Sequence, residues 1–375
     1  MAKKMLCLVL ALAMTLTFVA CGGSASSAPA ASSKPASSEA GSTATEGAEI
    51  AMITDKGDIN DKSFNQGTWE GVKAYADANG KTCQYYKPAD ATNDEYVNSI
   101  EQAIQNGAKV VVTPGFLFEV PIYTVQEKYP DVSFILIDGN PHNDDYSDFK
   151  TADNTVGITF SEEQVGYLAG YAAVKDGNTK LGFLGGQPVP AVVRYGYGFV
   201  QGADAAAKEM GVDIEMMYTN TDGFAATPEA QAMAASWYKN GTTVIFACGG
   251  SVGNSVMAAA EAEGGKVIGV DVDQSSESAT VISSAMKGLA EAVQQMLEKY
   301  YANEFPGGQN LNLGAAENAL GLPMETSKFE KFTEEDYKAL FESLASGKVT
   351  LQKDTDAESA DKLKTEKCKV TVVAL

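Results

Sequence analysis

The sequence predicts an α/β protein of two doubly wound parallel-sheet domains facing each other across a cleft. Three observations carry this expectation. Short apolar runs alternate with helix-length amphipathic segments along most of the chain. Roughly 330 residues follow a distinct N-terminal region, enough for two domains of ordinary size. Polar residues gather just after the apolar runs, where open parallel sheets present their ligand-binding edge.

The first 48 residues stand apart. Lys3 and Lys4 make a short positive start, and residues 6–20 carry no charge. An apolar run of about 15 residues falls short of the ~20 that span a bilayer core. Positive start, short apolar run and small residue before the break describe a signal peptide, expected over 1–20. The break, Phe18-Val19-Ala20-Cys21-Gly22-Gly23, resembles a bacterial lipobox with Phe18 where Leu is usual, and implies lipidation of Cys21. Residues 22–48 are Ser, Ala, Gly, Thr and Pro with little to bury, so folding cannot offset their ordering entropy. Residues 21–48 are therefore expected to be a lipidated cysteine and a flexible linker with an r.m.s. reach of roughly 25–30 Å. The lipid would hold the protein at the extracytoplasmic face of a bacterial membrane. A plain signal peptide cut after Ala20 is the alternative, and it leaves the linker without a purpose.

Beyond the linker, Ile50–Ile53 reads as a buried strand, followed by a polar loop over 54–63. A helix then carries Trp69, Val72 and Tyr75 on one face and stops at Gly80. Thr92-x-x-Glu95 is a capping box for a helix with Val97, Ile100 and Ile104 inward, ending at Gly107. Residues 110–112 and 134–137 are strands, with a short helix at Pro121 between them. Ser161-x-x-Gln164 reads as a second cap, for a helix bearing Val165, Leu168 and Ala172. Strands follow at 181–184, 214–218, 244–247 and 267–270, with helices between them, one opening at Thr227-Pro228. This rhythm gives parallel sheets covered on both faces.

The residues after the strands are polar or glycine. Asp55, Asp58 and Asp61 follow the first strand, Gly115-Phe116 the second and Asp138 the third. Gly249-Gly250-Ser251, and then Asp271 and Asp273, follow later ones. The formal charge is −21, more negative by two once Lys3 and Lys4 are removed. Nucleic-acid polymers are thereby excluded, because phosphate contacts need clustered Lys and Arg. Asp55, Asp58 and Asp61 recur every third residue, whereas an EF-hand loop needs oxygens at alternate positions and a distal Glu. The single histidine, His142, lies in a turn-like polar segment and has no second His to make a zinc site or a triad. Leu184-Gly185-Gly186-Gln187 lacks the Lys of a phosphate loop. Cys83, Cys248 and Cys368 show no paired spacing and read as small buried residues. No metal, cofactor or catalytic group is expected.

Several segments together resemble the basic membrane protein family of substrate-binding lipoproteins, which includes purine-nucleoside receptors of ABC importers. They are Asp61-Lys62-Ser63-Phe64-Asn65-Gln66, Trp69-Glu70-Gly71, Gly166-Tyr167-Leu168-Ala169-Gly170, Gly198-Phe199-x-x-Gly202, Ile268-Gly269-Val270-Asp271-x-Asp273-Gln274 and Ser284-Ala285-Met286-Lys287. The resemblance runs from about 50 to 293. It implies a type I periplasmic-binding-protein fold whose chain crosses between lobes near 150–154, after Asp271 and again near or beyond Pro306. The N-terminal lobe is expected over 49–152 plus about 274–305, and the C-terminal lobe over 153–273 plus about 306–375. The resemblance also implies roles. Phe64 and Phe224 sandwich a nucleobase, and Asn65 reads a purine edge. Asp271 accepts from a ribose diol, and Lys287 donates to the ribose. Asp55 and Asp61 complete the polar wall, and Gly249 permits close backbone approach.

Each role has a structural alternative. Phe64 suits a core, Asp61 or Ser63 suits a helix cap, Asp271 a hinge and Lys287 a solvated helix. The favoured function is a monomeric receptor that captures a purine nucleoside and delivers it to an ABC importer permease. A binder of a sugar or other small metabolite on the same fold, and a surface nucleoside-processing enzyme, are the alternatives.

Overall fold

A computed structural model describes residues 47–375; the expected signal peptide and Cys21 lie outside the described residues. The first lobe is built from β1 (Ile50–Ile53), α1 (Phe64–Asn79), β2 (Cys83–Tyr86), α2 (Asn93–Gln105), β3 (Val110–Pro114), α3 (Glu119–Val125), β4 (Ser133–Ile137) and β5 (Thr155–Phe160). The second begins with α4 (Glu162–Lys175), β6 (Lys180–Gly185), α5 (Pro190–Met210), β7 (Ile214–Asn220), α6 (Pro228–Lys239) and β8 (Val244–Cys248). It continues with α7 (Val252–Glu263), β9 (Lys266–Asp271) and β10 (Val281–Lys287). The chain then runs through α8 (Leu289–Tyr301), β11 (Gln309–Leu313), β12 (Leu320–Gly321), α9 (Glu334–Ala345) and β13 (Cys368–Val372). One sheet has the order β11-β5-β4-β3-β1-β2, the other β12-β10-β9-β8-β6-β7-β13. All pairings are parallel except β10 with β12.

Side-chain alternation explains the two-sided covering. Ile50 and Met52 of β1 pack with α1 and α8 on one face, while Ala51 and Ile53 pack with α2 and α3 on the other. In β8, Val244, Phe246 and Cys248 enter the core under α4 and α5, and Ile245 and Ala247 the core under α6 and α7. A strand buried on both faces reads as a continuous apolar run, as these do. Local signals set the helix ends: Gly80 turns left-handed after α1 (φ 63), and the Thr92 side chain accepts from Glu95 N.

The glycines four apart at 166 and 170, and at 198 and 202, make the α4–α5 contact. A Cβ at Gly166 or Gly170 would fall 2.2 or 2.1 Å from the carbonyl oxygens of Tyr195 and Phe199. One at Gly198 or Gly202 would fall 2.1 or 2.0 Å from those of Glu163 and Tyr167. These helices meet backbone to backbone, and larger residues there would push them apart.

The first two crossovers differ from the expected positions. β5 is in the first sheet, with Thr155 opposite Phe134, so the first crossing falls at Ser161. Residues 150–154, where the family resemblance implied the first crossing, instead lead into β5 within the first lobe. β10 pairs with β9 in the second sheet, so the second crossing falls at Gly288. Parallel neighbours ordinarily need a crossover of a dozen or more residues. The link from Asp271 to Val281 is shorter than that, yet the change of lobe that the resemblance implied after Asp271 does not occur there. The third crossing joins β11 to β12. Ser161 and Gln164 do not cap α4 by their side chains. They accept from Asn312 Nδ2 and Ala315 N, both at 2.8 Å, because this third crossing lies against the first turn of α4. At the far edge, Asp204 Oδ1 accepts from the backbone N–H groups of Glu366, Lys367 and Cys368 and docks β13 onto β7. No helix among the described residues is long and apolar enough to cross a membrane. Cys83, Cys248 and Cys368 are free thiols.

Candidate ligand-binding cleft

The carboxyl edges of the two sheets enclose a cavity of about 1010 Å³. Asp55, Asp61, Phe64, Asn65, Phe224, Gly249, Asp271 and Lys287 all line it. The sequence thus brings its candidates to one place, but their side chains are engaged very differently.

The loop before α1 is held by its own hydrogen bonds. Asp61 Oδ1 accepts from Ser63 N (2.9 Å) and Gln66 N (3.1 Å), and Oδ2 from the backbone N (2.9 Å) and Nδ2 (3.0 Å) of Asn65. Asp61 therefore caps α1, where a carboxylate is favoured by the free N–H groups and the helix dipole. Asn65 Nδ2 also donates to Asp55 Oδ1 (2.9 Å), and its Oδ1 accepts from Asp55 N (3.3 Å). Both Asn65 amide hydrogens are thus taken inside the loop, while Oδ1 accepts a single bond. Burial pushes the Asp55 carboxyl up to about 6, against the lowering effect of hydrogen bonds from Gly57 and Asn65.

A charged cluster forms the floor, where the chain crosses between lobes. Lys287, with its side chain 2% exposed, donates to Asp138 Oδ2 (2.5 Å) and Glu162 Oε1 (3.1 Å) and lies 4.0 Å from Asp271 Oδ1. Its Nζ is also 5.0 Å from the centre of the Phe64 ring. Burial disfavours the ammonium, but the three carboxylates outweigh it and hold the lysine above its ordinary value. Glu162 Oε2 accepts from Arg194 Nε at 2.6 Å, and Arg194 Nη1 lies 3.5 Å from Asp354. Burial pushes Asp138 up to about 6, while Lys287 pulls it down. Asp138 Oδ1 is buried with no hydrogen-bond partner among the described residues.

Asp138, just after β4, and Asp271, at the end of β9, lie in the left-handed region, at φ 59 and 66. Non-glycine residues adopt it at a cost, and such strain gathers at functional sites. Asp271 accepts from Ser63 Oγ (2.5 Å) and Tyr195 OH (3.3 Å), and burial raises its carboxyl. Phe224 lies against Gly186, where a Cβ would fall 2.5 Å from its ring. Gly249 faces Gly186 as well, with room for no Cβ, 2.5 Å from Gly186 N. Gly186 lets the ring lie close to the backbone, and Gly249 lets two backbone segments meet.

A family model described as ABC transporter substrate-binding protein, PnrA-like, matches residues 48–370. The chain belongs to this family. The PnrA-like match agrees with individual relatives. The ABC transporter nucleoside-binding protein BmpA of Lactococcus lactis subsp. cremoris is 30% identical over 309 residues, covering 75% of this chain and 84% of that one. Basic membrane protein A1 of Borrelia garinii subsp. bavariensis is 30% identical over 291 residues, covering 75% and 81%. An ABC transporter solute-binding protein from Aeropyrum pernix superposes with a TM-score of 0.72 at 23% identity, over 83% of this chain and 95% of that one. One from Conexibacter woesei gives 0.66 at 26% identity, over 81% and 98%. The protein is thus an extracytoplasmic substrate-binding protein of an ABC transporter, with the type I periplasmic-binding-protein fold.

For a PnrA-like substrate-binding protein, the candidate list derived from sequence omits much of this floor. Asp138 was visible only as one of several polar residues after a strand. Glu162 beside Glu163 reads as ordinary acidic enrichment at a helix start. Arg194 and Asp354 are single charges in unremarkable segments, and only folding pairs them. Among the described residues no cluster of His, Cys, Asp or Glu is arranged to hold a metal.

Proposed function

We propose that the cleft captures a purine nucleoside outside the cytoplasm and delivers it to the permease of an ABC importer. In this reading Cys21 carries a lipid that keeps the receptor beside its permease, and the receptor works as a monomer. The feature that carries the reading is a pair of aromatic rings, Phe64 and Phe224, in one cavity with a floor of buried carboxylates around Lys287. A planar base suits the rings, and stacking contributes ~1–3 kcal/mol per base. Ribose hydroxyls are donors, and the spare oxygen of Asp138 and the remaining lone pairs of Asp271 are acceptors. The nucleoside-binding name of the Lactococcus relative supports the same class of ligand.

The charge of the floor narrows that class. Lys287 and Arg194 are both committed to carboxylates, so a 5′-phosphate would meet uncompensated negative charge. Nucleosides are therefore expected over nucleotides. Isothermal titration with inosine, guanosine, adenosine and their 5′-monophosphates tests this reading. Heat from at least one nucleoside and none from the monophosphates is the expected result. Silence from all three nucleosides would reject it.

A further inference from the structure

Two large exposed aromatic side chains sit on one short hairpin at the mouth of the cleft, and the nucleobase sandwich makes no use of them. Tyr146 and Phe149 are 65% and 60% exposed, and both line the cavity. Their hairpin is held by its own hydrogen bonds. His142 and Phe149 form an antiparallel bridge, Asn143 N donates to Asp148 O, and Lys150 N donates to Pro141 O. Asn143 Oδ1 accepts from the backbone N–H groups of Ser147 and Asp148, both at 3.0 Å.

Beneath the exposed rings lies a buried pedestal. His142 is 2% exposed, with its ring stacked on Tyr146 (centroids 4.0 Å apart) and tilted against Phe149 (5.1 Å). His142 Nδ1 is 2.6 Å from Asn143 O, a carbonyl that only accepts, so Nδ1 carries a proton. Nε2 faces Glu119 Oε2 at 3.1 Å. Glu119 Oε1 accepts from Asn140 N (2.9 Å) at the root of the hairpin. Glu119 begins α3, so the pair ties the hairpin to the first lobe.

We propose that Tyr146 and Phe149 form a third ligand-facing wall at the cleft mouth, positioned by Glu119 and His142, and that this wall slows ligand release. The inference rests on the nucleoside reading for its ligand: a planar molecule already stacked deeper in the cleft offers its outer portion to these rings. The occupant follows from continuity, because the two rings line the same cavity as Phe64, Phe224 and Asp138. Stiffness is the second argument. A preformed wall orders nothing further when the ligand arrives, so it lengthens residence with little effect on association.

The test follows a bound molecule through release. The full protein is loaded with inosine, guanosine and adenosine, and the retained adduct is followed by native mass spectrometry during dialysis. Tyr146→Ala and Phe149→Ala should each release the adduct about tenfold faster, with association rates within about twofold of the parent. Tyr146→Phe should release at the parent rate. Glu119→Ala should match the fast-releasing variants. Glu119→Gln should restore the parent rate, because its amide donates to His142 Nε2 while its oxygen still accepts from Asn140 N. Equal retention in Tyr146→Ala, Phe149→Ala and the parent overturns the proposal, as does a Glu119→Gln variant that releases as fast as Glu119→Ala. An adduct whose mass is not a nucleoside removes the ligand reading, while the same time courses still decide the wall.

Discussion

Two parts of the cleft wall hold carboxylates and use them in opposite ways. In the loop before α1, Asp61 has both oxygens occupied by Ser63, Asn65 and Gln66, and Asn65 spends its amide on Asp55 and Asp61. At the floor, three carboxylates share Lys287 and an oxygen of Asp138 has no partner. The difference teaches that lining a cavity does not make a residue a ligand contact. A polar group recognises a ligand only with the lone pairs and protons that folding leaves over. The loop spends most of its polar groups internally, while the floor keeps a carboxylate oxygen of Asp138 without a partner.

The most severe way to break this comparison is to remove the counter-charge of the floor. Lys287→Met should lower the free energy of unfolding by ~3–5 kcal/mol, because Asp138, Glu162 and Asp271 lose their common cation in a dry site. Chemical denaturation at neutral pH measures it. A cost below ~1 kcal/mol would mean that the floor behaves as exposed ion pairs do.

Phe224→Ala is next. It should weaken nucleoside binding by ~1–3 kcal/mol in titration calorimetry. A sugar site would tolerate the change, so unaltered affinity would remove the stacking role.

How much of this was legible beforehand depends on distance along the chain. β1 and α1 with its Gly80 stop are set by neighbours within a few residues and are present as read; at Thr92 only half of the expected capping box forms, the Thr92 side chain accepting from Glu95 N without a return bond to the Glu95 carboxylate. Gly166, Gly170, Gly198 and Gly202 were visible as motifs, but their reason is the α4–α5 contact, which no local pattern states. The Ser161 and Gln164 side chains misled for the same reason: their partners, Asn312 and Ala315, lie about 150 residues away. The residues of β5 and β10 were placed in the wrong lobes by the boundaries the resemblance implied, because a lobe boundary is a fact of strand pairing and no local pattern names the partner strand. The site followed the same rule. Strand-end position brought the expected residues into one cavity, whereas the Lys287–Glu162–Arg194–Asp354 chain joins four remote segments.

The comparison sharpens with a pair of acid substitutions. Asp61→Ala should cost ~0.5–2 kcal/mol of stability, the usual range for a lost helix cap. It should alter binding only as far as it loosens the loop. Asp138→Asn should do the reverse, weakening binding while Lys287 keeps Glu162 and Asp271 as partners. Unfolding curves and calorimetry on both variants read the contrast. An Asp61 variant of full stability and lost affinity would move Asp61 from scaffold to contact.

The last contrast is a change of slope with pH. Burial raises Asp55 from 3.8 to about 6, so the folded protein binds this proton more tightly than the unfolded chain does. Across that window the folded state holds more protons, and the contribution of Asp55 to stability falls as pH rises. Below about pH 4 both states are protonated and the contribution is flat; above about pH 6 the penalty for the buried anion is fully present. Asp55→Asn keeps an oxygen for Gly57 N and removes the charge. Its stability relative to the parent should therefore climb between pH 4 and 6 and then level off. Denaturation at a series of pH values measures that difference directly. A difference that stays constant through the window would place the titrating proton elsewhere, with Asp138, raised to the same range at the floor, as the group to substitute next.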